Sequence, residues 1–291
     1  MASTALVIAP GPVLELLATP SFAEAVGRRA GASTATVVSR LADIRSEAEL
    51  ALRLLESLGP IRVEDRILEV GAGAGVVAGI LHASGARVVA IEPLIEGFDL
   101  FDSVAAELAA SYPPAAVPLV RKAARDLTVA DDGAFDLIFS VNVLEHCHPL
   151  DESLDALAGV LAPGGRMLHT CPNYRIPYEP HYAIPLIPGL PALTRFLLPR
   201  IRDEALWKSL NFITAGDVAR FAHRNGLELR FRPGVLTETL DRLTVDPAFV
   251  RRQGWTGRAA LAMHRLGAGR VLDAVPPTWV TPMVLEARRP G

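Results

Sequence analysis

Arg66-Ile-Leu-Glu-Val70, Gly71-Ala-Gly-Ala-Gly75 and Val76-Val-Ala-Gly-Ile-Leu-His-Ala-Ser84 form the stretch from which the rest of the chain is read. A short apolar run, three alternating glycines and a longer apolar run spell strand, tight loop and helix. Glycines at Gly71, Gly73 and Gly75 let backbone N–H groups reach a ligand at the helix N-terminus, with no Cβ in the way. The dinucleotide fingerprint G-x-G-x-x-G is not met, because its last position is Val76. Glu92 follows a second apolar run, Arg87–Ile91, where a carboxylate would accept both ribose hydroxyls. Loop and Glu92 together select a nucleoside rather than one cofactor.

Outward from this point strands and helices alternate. Helical signals lie at 98–111 and 151–161, and strand signals at 116–120, 135–141 and 166–170. Thr214-Ala-Gly-Asp217 opens a further helix to Asn225-Gly226, and 227–231 and 282–287 read as strands. Such an order demands a parallel sheet with helices on both faces. Upstream, Thr34 or Thr36 would cap a helix through about Leu58, burying Val37, Leu41, Ile44, Ala48, Ala51, Leu55 and Leu58. The organisation expected is an N-terminal helical cap segment at 1–59 and an α/β domain at 60–291. That domain carries a Pro- and aromatic-rich lid at 173–210 and a mostly helical insertion at 234–276.

With 291 residues, half of them apolar and a net charge of -3, the chain suits a globular α/β protein and gives no whole-molecule reason to bind nucleic acid. Charge is uneven: residues 1–173 hold 12 basic against 22 acidic side chains, and 174–291 hold 17 against 10. Cys147 and Cys171 alone imply no disulfide framework, so a cytoplasmic location is expected. Ala5–Ala9 lacks the basic flank of a signal peptide, and prolines break the apolar 183–199, so no membrane insertion is expected. Nothing here fixes the oligomeric state.

Glu69-Val-Gly-Ala-Gly-Ala-Gly75, Ile91-Glu-Pro93, Phe135-Asp-Leu-Ile138 with Asn142-Val-Leu-Glu-His146, and Leu161-Ala-Pro-Gly-Gly165 resemble, in order and spacing, the motifs of class I S-adenosylmethionine-dependent methyltransferases, including ubiquinone- and menaquinone-type enzymes. The resemblance implies a Rossmann-like doubly wound sheet of seven strands, order 3-2-1-4-5-7-6, the last antiparallel. It implies S-adenosylmethionine as cofactor, with Gly71, Ala72 and Gly73 along the methionine portion, Glu69 reaching its ammonium through water, and Glu92 on the ribose. Val141 or Asn142 would offer backbone groups to the amino-acid end. The family often places Gly-Asp-Ala where this chain has Lys122-Ala-Ala124, so backbone N–H groups of Ala123 or Ala124 would take over the adenine.

Asn173-Tyr-Arg-Ile-Pro-Tyr-Glu-Pro-His-Tyr182 follows the fifth strand directly and is expected to overhang the methyl group. Tyr174, Arg175, Tyr178 and Tyr182 are candidate substrate contacts, and Glu179 or His181 a candidate general base. His146 belongs to the loop after strand four and is a further candidate. No metal is expected, since consecutive His146, Cys147 and His148 are poorly placed to converge. His169, inside a strand, reads as a core histidine. Arg175, Arg195, Arg200 and Arg202 could meet an anionic group. The function expected is methylation of a small-molecule metabolite on an undecided O, N or C atom. A nicotinamide-dependent oxidoreductase and a non-catalytic binding module are the alternatives.

Overall fold

The computed structural model describes residues 4–93, 99–198, 201, 204–245, 258, 261–262 and 274–291. They fall into two compact units. One lies within Met1–Val141, Ser153–Leu168 and Arg289–Gly291, the other within Asn142–Glu152 and His169–Arg288.

The first unit begins with α1 (Gly11–Leu17), α2 (Pro20–Ala30) and α3 (Thr34–Ser57). Ser33, not Thr34 or Thr36, caps α3. Its backbone is extended and its hydroxyl accepts the Thr36 N–H at 3.2 Å, whereas Thr34 is already helical. The expected face of α3 is buried from Val37 to Leu55, while Leu58 forms the half-buried C-cap. β1 (Arg66–Val70) lies between β2 (Arg87–Ile91) and β4 (Phe135–Val141), all parallel, and β3 (Leu119–Val120) extends the sheet beyond β2. Ile67, Leu68, Leu137 and Ile138 are wholly buried, as expected where helices cover both faces. α4 (Val76–Ala83), α5 (Asp99–Ser111) and α6 (Val129–Asp132) connect these strands, and α7 (Leu150–Gly159) precedes β5 (Leu161–Cys171). β5 is longer than 166–170 because Pro163-Gly-Gly165 is drawn into it. A Cβ on Gly165 would lie 2.8 Å from the Ala162 carbonyl oxygen and 3.1 Å from that of Phe135, so only glycine fits.

In the second unit the lid folds into a small antiparallel hairpin, β6 (Tyr178–Glu179) with β7 (Ile184–Pro185), followed by α8 (Thr194–Leu197) and α9 (Ala205–Lys208). α10 (Ala215–Arg224) starts on the expected box: the Thr214 hydroxyl accepts the Asp217 N–H, and the Asp217 carboxylate accepts the Thr214 N–H. β8 (Glu228–Phe231) and β9 (Met283–Arg288) pair antiparallel, with α11 (Val235–Val245) between them in sequence. Most of 246–273, with Arg200 and Arg202, lies outside the described residues.

The strand order is β3-β2-β1-β4-β5-β9-β8, the expected order once the lid hairpin is set aside. Among the described residues no helix is long and apolar enough to cross a membrane.

Candidate active site

The glycine loop leaves β1 with Gly71, Gly73 and Gly75 at φ of 66°, 55° and 69°. Gly71 and Ala72 both donate to the Ile91 carbonyl, at 2.9 and 3.0 Å, which lashes the loop to the end of β2. Gly73 N–H donates to Glu92 Oε2 at 2.7 Å, and Ala78 N–H in the first turn of α4 donates to Glu69 Oε2 at 2.7 Å. Both carboxylates are buried. Burial raises the Glu69 pKa to about 8, against the Ala78 hydrogen bond and with added repulsion from Glu92. Burial also raises Glu92, opposed by the Gly73 N–H and by Arg121. Two dehydrated carboxylates around an N–H-lined loop suit a ligand that brings hydroxyl donors and a cation.

Lys122 forms an ion pair with Asp132, Nζ to Oδ1 at 2.8 Å, and so points to that partner. Ala123 caps the short 3-10 turn Ala124–Asp126. Among the described residues the Ala123 and Ala124 N–H groups have no backbone acceptor, which keeps them suited to a ring nitrogen. Val141 ends β4. Asn142 N–H already donates to the Thr170 carbonyl at 2.8 Å, so Asn142 would serve a ligand through its carbonyl or carboxamide.

In the second unit, Glu179 has no exposed surface and three donors. Tyr174 Oη–H and His181 Nδ1–H reach Oε1 at 3.1 and 2.6 Å, and Tyr182 N–H reaches Oε2 at 2.8 Å. The two residues entertained as alternative bases are therefore one dyad, with Glu179 inside and His181 partly exposed. His146 Nδ1 meets Ser209 Oγ at 2.8 Å, and the His146 and His181 rings lie 5.4 Å apart. Burial first, then His181, lowers the His146 pKa to about 4, so it is neutral at pH 7. One ligand atom each from Glu145, His146 and His181 lies within 4.8 Å of the other two. His148 and Cys147 turn aside: His148 Nε2 meets the Ser209 carbonyl at 2.8 Å, and the Cys147 thiol faces the Val143 carbonyl. Burial drives the Cys147 thiol up to about 12, leaving it inert.

Tyr174 is buried, edge-on to Phe212, and its hydroxyl is spent on Glu179. Tyr182 leans on Trp207 and donates to Glu204 Oε2 at 2.8 Å, and Tyr178 is half-buried in β6. Arg175 is exposed, with its guanidinium 3.7 Å above the Trp279 ring, and Arg195 stacks on Phe196. His169 is buried, and burial lowers its pKa to about 4.

Sequence reasoning missed the residues that hold this cluster. Asn211 Nδ2 donates to the Leu144 and Cys147 carbonyls, at 2.7 and 2.9 Å, and its N–H donates to the Glu145 carbonyl. It thereby clamps the turn that carries Glu145 and His146. Asn142, Ala183 and Phe212 hold left-handed φ of 55°, 52° and 57° around it. Each costs on the order of 1–3 kcal/mol, a strain that collects at functional sites. Polar Ser209 and Asn211 beside apolar Leu206, Trp207, Leu210 and Phe212 were the only signal in the sequence.

A methyltransferase-domain family matches residues 42–230, the span that holds the ordered motifs. A protein of Mycobacterium tuberculosis described as uncharacterised is 35% identical over 237 residues, covering 77% of this chain and 79% of that one. A ubiquinone biosynthesis O-methyltransferase of Nitrobacter winogradskyi is 28% identical over 171 residues, 59% of each chain. The Haemonchus contortus phosphoethanolamine N-methyltransferase 2, solved with phosphomonomethylethanolamine and S-adenosylhomocysteine, superposes with a TM-score of 0.51 at 16% identity. That match covers 84% of this chain but 53% of the nematode enzyme, so the chain spans about half its length. The oxidoreductase and non-catalytic alternatives give way: the chain belongs to the methyltransferase-domain family and is a class I, S-adenosylmethionine-dependent methyltransferase.

Proposed function

We propose that the acceptor is a small molecule methylated on a hydroxyl oxygen, which is activated at the cluster anchored by Glu179 and His181. The observation that carries this is the 2.6 Å contact between a fully buried carboxylate and a partly exposed imidazole. Methyl transfer is an in-line displacement in which alignment does most of the work. An unprotonated amine needs no further help, whereas a hydroxyl must shed its proton, and an oriented imidazole is the group that assists. Glu145 and His146 follow β4, and Glu179 and His181 follow β5, so the chain delivers both pairs from the carboxyl ends of strands, the edge where such sheets bind ligands. A relative that bears the name O-methyltransferase accords with an oxygen acceptor.

A small metabolite suits the acceptor better than a macromolecule, since the net charge of -3 offers nucleic acid little. Glu69, Gly71, Ala72, Gly73, Glu92, Ala123, Ala124, Val141 and Asn142 would hold S-adenosylmethionine. Arg175 keeps the edge of its guanidinium for an anionic group on the acceptor. Two unpaired thiols suit a cytoplasmic enzyme. The test is methyl transfer from labelled S-adenosylmethionine to a panel of phenols, alcohols and amines matched in skeleton. Turnover confined to the amines would overturn the oxygen reading.

A further inference from the structure

We infer that Glu145, His146 and His181 form a binding site for a divalent transition-metal ion. The argument starts from where the protons sit. The Ser209 hydroxyl donates to the Leu206 carbonyl at 2.7 Å, so toward His146 its oxygen can only accept. The His146 proton is therefore on Nδ1 and its lone pair on Nε2, which lies 3.9 Å from Glu145 Oε1. The Glu179 carboxylate likewise accepts from His181 Nδ1, so Nε2 is the nitrogen that His181 has to offer a ligand. One nitrogen from each imidazole and an oxygen of a carboxylate with no exposed surface thus gather within 4.8 Å of one another. Such a donor set is one that takes a metal cation.

The supporting contacts are those a metal site uses: each imidazole is fixed in its tautomer by an oxygen on the far nitrogen, a carboxylate for one and a hydroxyl for the other. An ion about 2.1 Å from each donor asks the three to close by roughly an ångström. His181, on a partly exposed hairpin turn, is the member placed to move. Two nitrogens and one oxygen favour Zn2+, Mn2+, Fe2+ or Co2+ over Mg2+ or Ca2+, and leave coordination positions open. The site was hidden in the sequence because its third donor comes from the lid and not from the His146-Cys147-His148 run.

What the ion does rests on the proposed oxygen acceptor; that it binds does not. With the ion bound, His181 serves as its ligand and no longer as the proton acceptor: a hydroxyl held at an open position would lose its proton to solvent as the metal lowers its pKa. The oxygen would then form its bond to the methyl carbon as the carbon–sulfur bond breaks, releasing S-adenosylhomocysteine.

The experiment is a Co2+ titration of the chelator-stripped protein, read by visible absorption and calorimetry, with Zn2+ as competitor. One equivalent of Co2+ is expected to bind and be displaced by Zn2+. In His181→Ala and Glu145→Gln the Co2+ affinity should fall on the order of 100-fold or more, while S-adenosylhomocysteine still raises Tm, which reports an intact fold. His181→Gln serves if the alanine variant does not fold. No Co2+ uptake by the native protein, or equal affinity in the folded variants, overturns the site. Stoichiometric Co2+ binding without turnover of any hydroxylated acceptor supports the site and overturns only the acceptor reading.

Discussion

His181 Nδ1 lies 2.6 Å from Glu179 Oε1, and no surface of that carboxylate meets solvent. Glu179 also receives the Tyr174 hydroxyl and the Tyr182 N–H, so all three of its partners present a donor. A carboxamide cannot satisfy three donors, since its NH2 group must face at least one of them. Glu179→Gln should therefore loosen the imidazole while leaving the cofactor loop untouched. We expect kcat to fall about 10-fold to 100-fold in Glu179→Gln, and 100-fold or more in His181→Ala, which removes the imidazole whether it accepts the proton itself or holds the ion that acidifies the hydroxyl. S-adenosylhomocysteine affinity should be unchanged in both. A loss in KM alone, with kcat kept, would mean the dyad only shapes the lid.

Glu92 and Gly73 make a second prediction. The Gly73 N–H already donates to Glu92 Oε2, so the ribose would add hydroxyl donors to a carboxylate that burial has deprived of water. Glu92→Ala removes charge-assisted hydrogen bonds worth roughly 1.5–3 kcal/mol each, so S-adenosylhomocysteine Kd should rise at least tenfold by calorimetry. Gly73→Val acts differently: at φ 55° a β-branched residue is strained, and its Cβ would stand 3.4 Å from the Phe101 ring. It should abolish binding and also lower Tm, whereas Glu92→Ala should leave the ligand-free Tm level or raised.

The sheet was legible because its information is local and repeated. The central strands β1, β2 and β4 are apolar runs of five to seven residues next to a turn, and the glycine loop, Glu92 and the Thr214–Asp217 box sit where short-range rules place them. The α3 cap went to Ser33 because only the extended residue before the helix can turn its hydroxyl onto the third N–H, and three hydroxyl residues competed within four positions. The dyad was half legible: Glu179 and His181 were seen as two candidates, but their order, buried carboxylate and exposed imidazole, is a matter of packing. Tyr174 looked like a substrate contact because a tyrosine next to a strand end carries no mark of whether its ring turns inward. The Glu145–His146–His181 grouping was illegible, because it joins segments far apart in sequence: Asn211 and Ser209 hold the turn that carries His146, whose ring lies 5.4 Å from that of His181.

Asn173 gives a test of stability. It is fully buried, its Nδ2 donates to the Thr278 and Val280 carbonyls at 3.0 Å each, and its Oδ1 accepts the Ala215 and Arg175 N–H groups. One side chain thus ties the exit of β5 to the start of α10 and to the segment before β9. Asn173→Ala should cost about 2–4 kcal/mol, since several buried polar groups lose their partner together. Asn173→Asp keeps the shape but turns an acceptor toward two carbonyls, and should be no better. Urea unfolding decides it: a Asn173→Asp midpoint equal to the native one would remove Asn173 from this role.

Glu69 carries the pH dependence. Its folded pKa, about 8, lies above the ordinary carboxylate value because burial disfavours the charge. A group raised on folding contributes stability that is fully present below its unfolded pKa and is lost as pH rises through the folded one. The ligand-free protein should therefore lose stability between about pH 4.5 and pH 8 through this residue, and Glu69→Gln should flatten that slope. The ammonium of the cofactor, which Glu69 is proposed to meet, would reverse the preference by favouring the carboxylate. Binding must then expel a proton at any pH below about 8, and affinity should climb with pH, by at most tenfold per unit, until the ligand's own amine begins to deprotonate. Calorimetry of S-adenosylhomocysteine binding at pH 7, in two buffers of different ionisation enthalpy, measures the proton directly. Release of a proton in the native protein and none in Glu69→Gln is the expected result, and equal heats in both buffers would show that Glu69 is already charged before the ligand arrives.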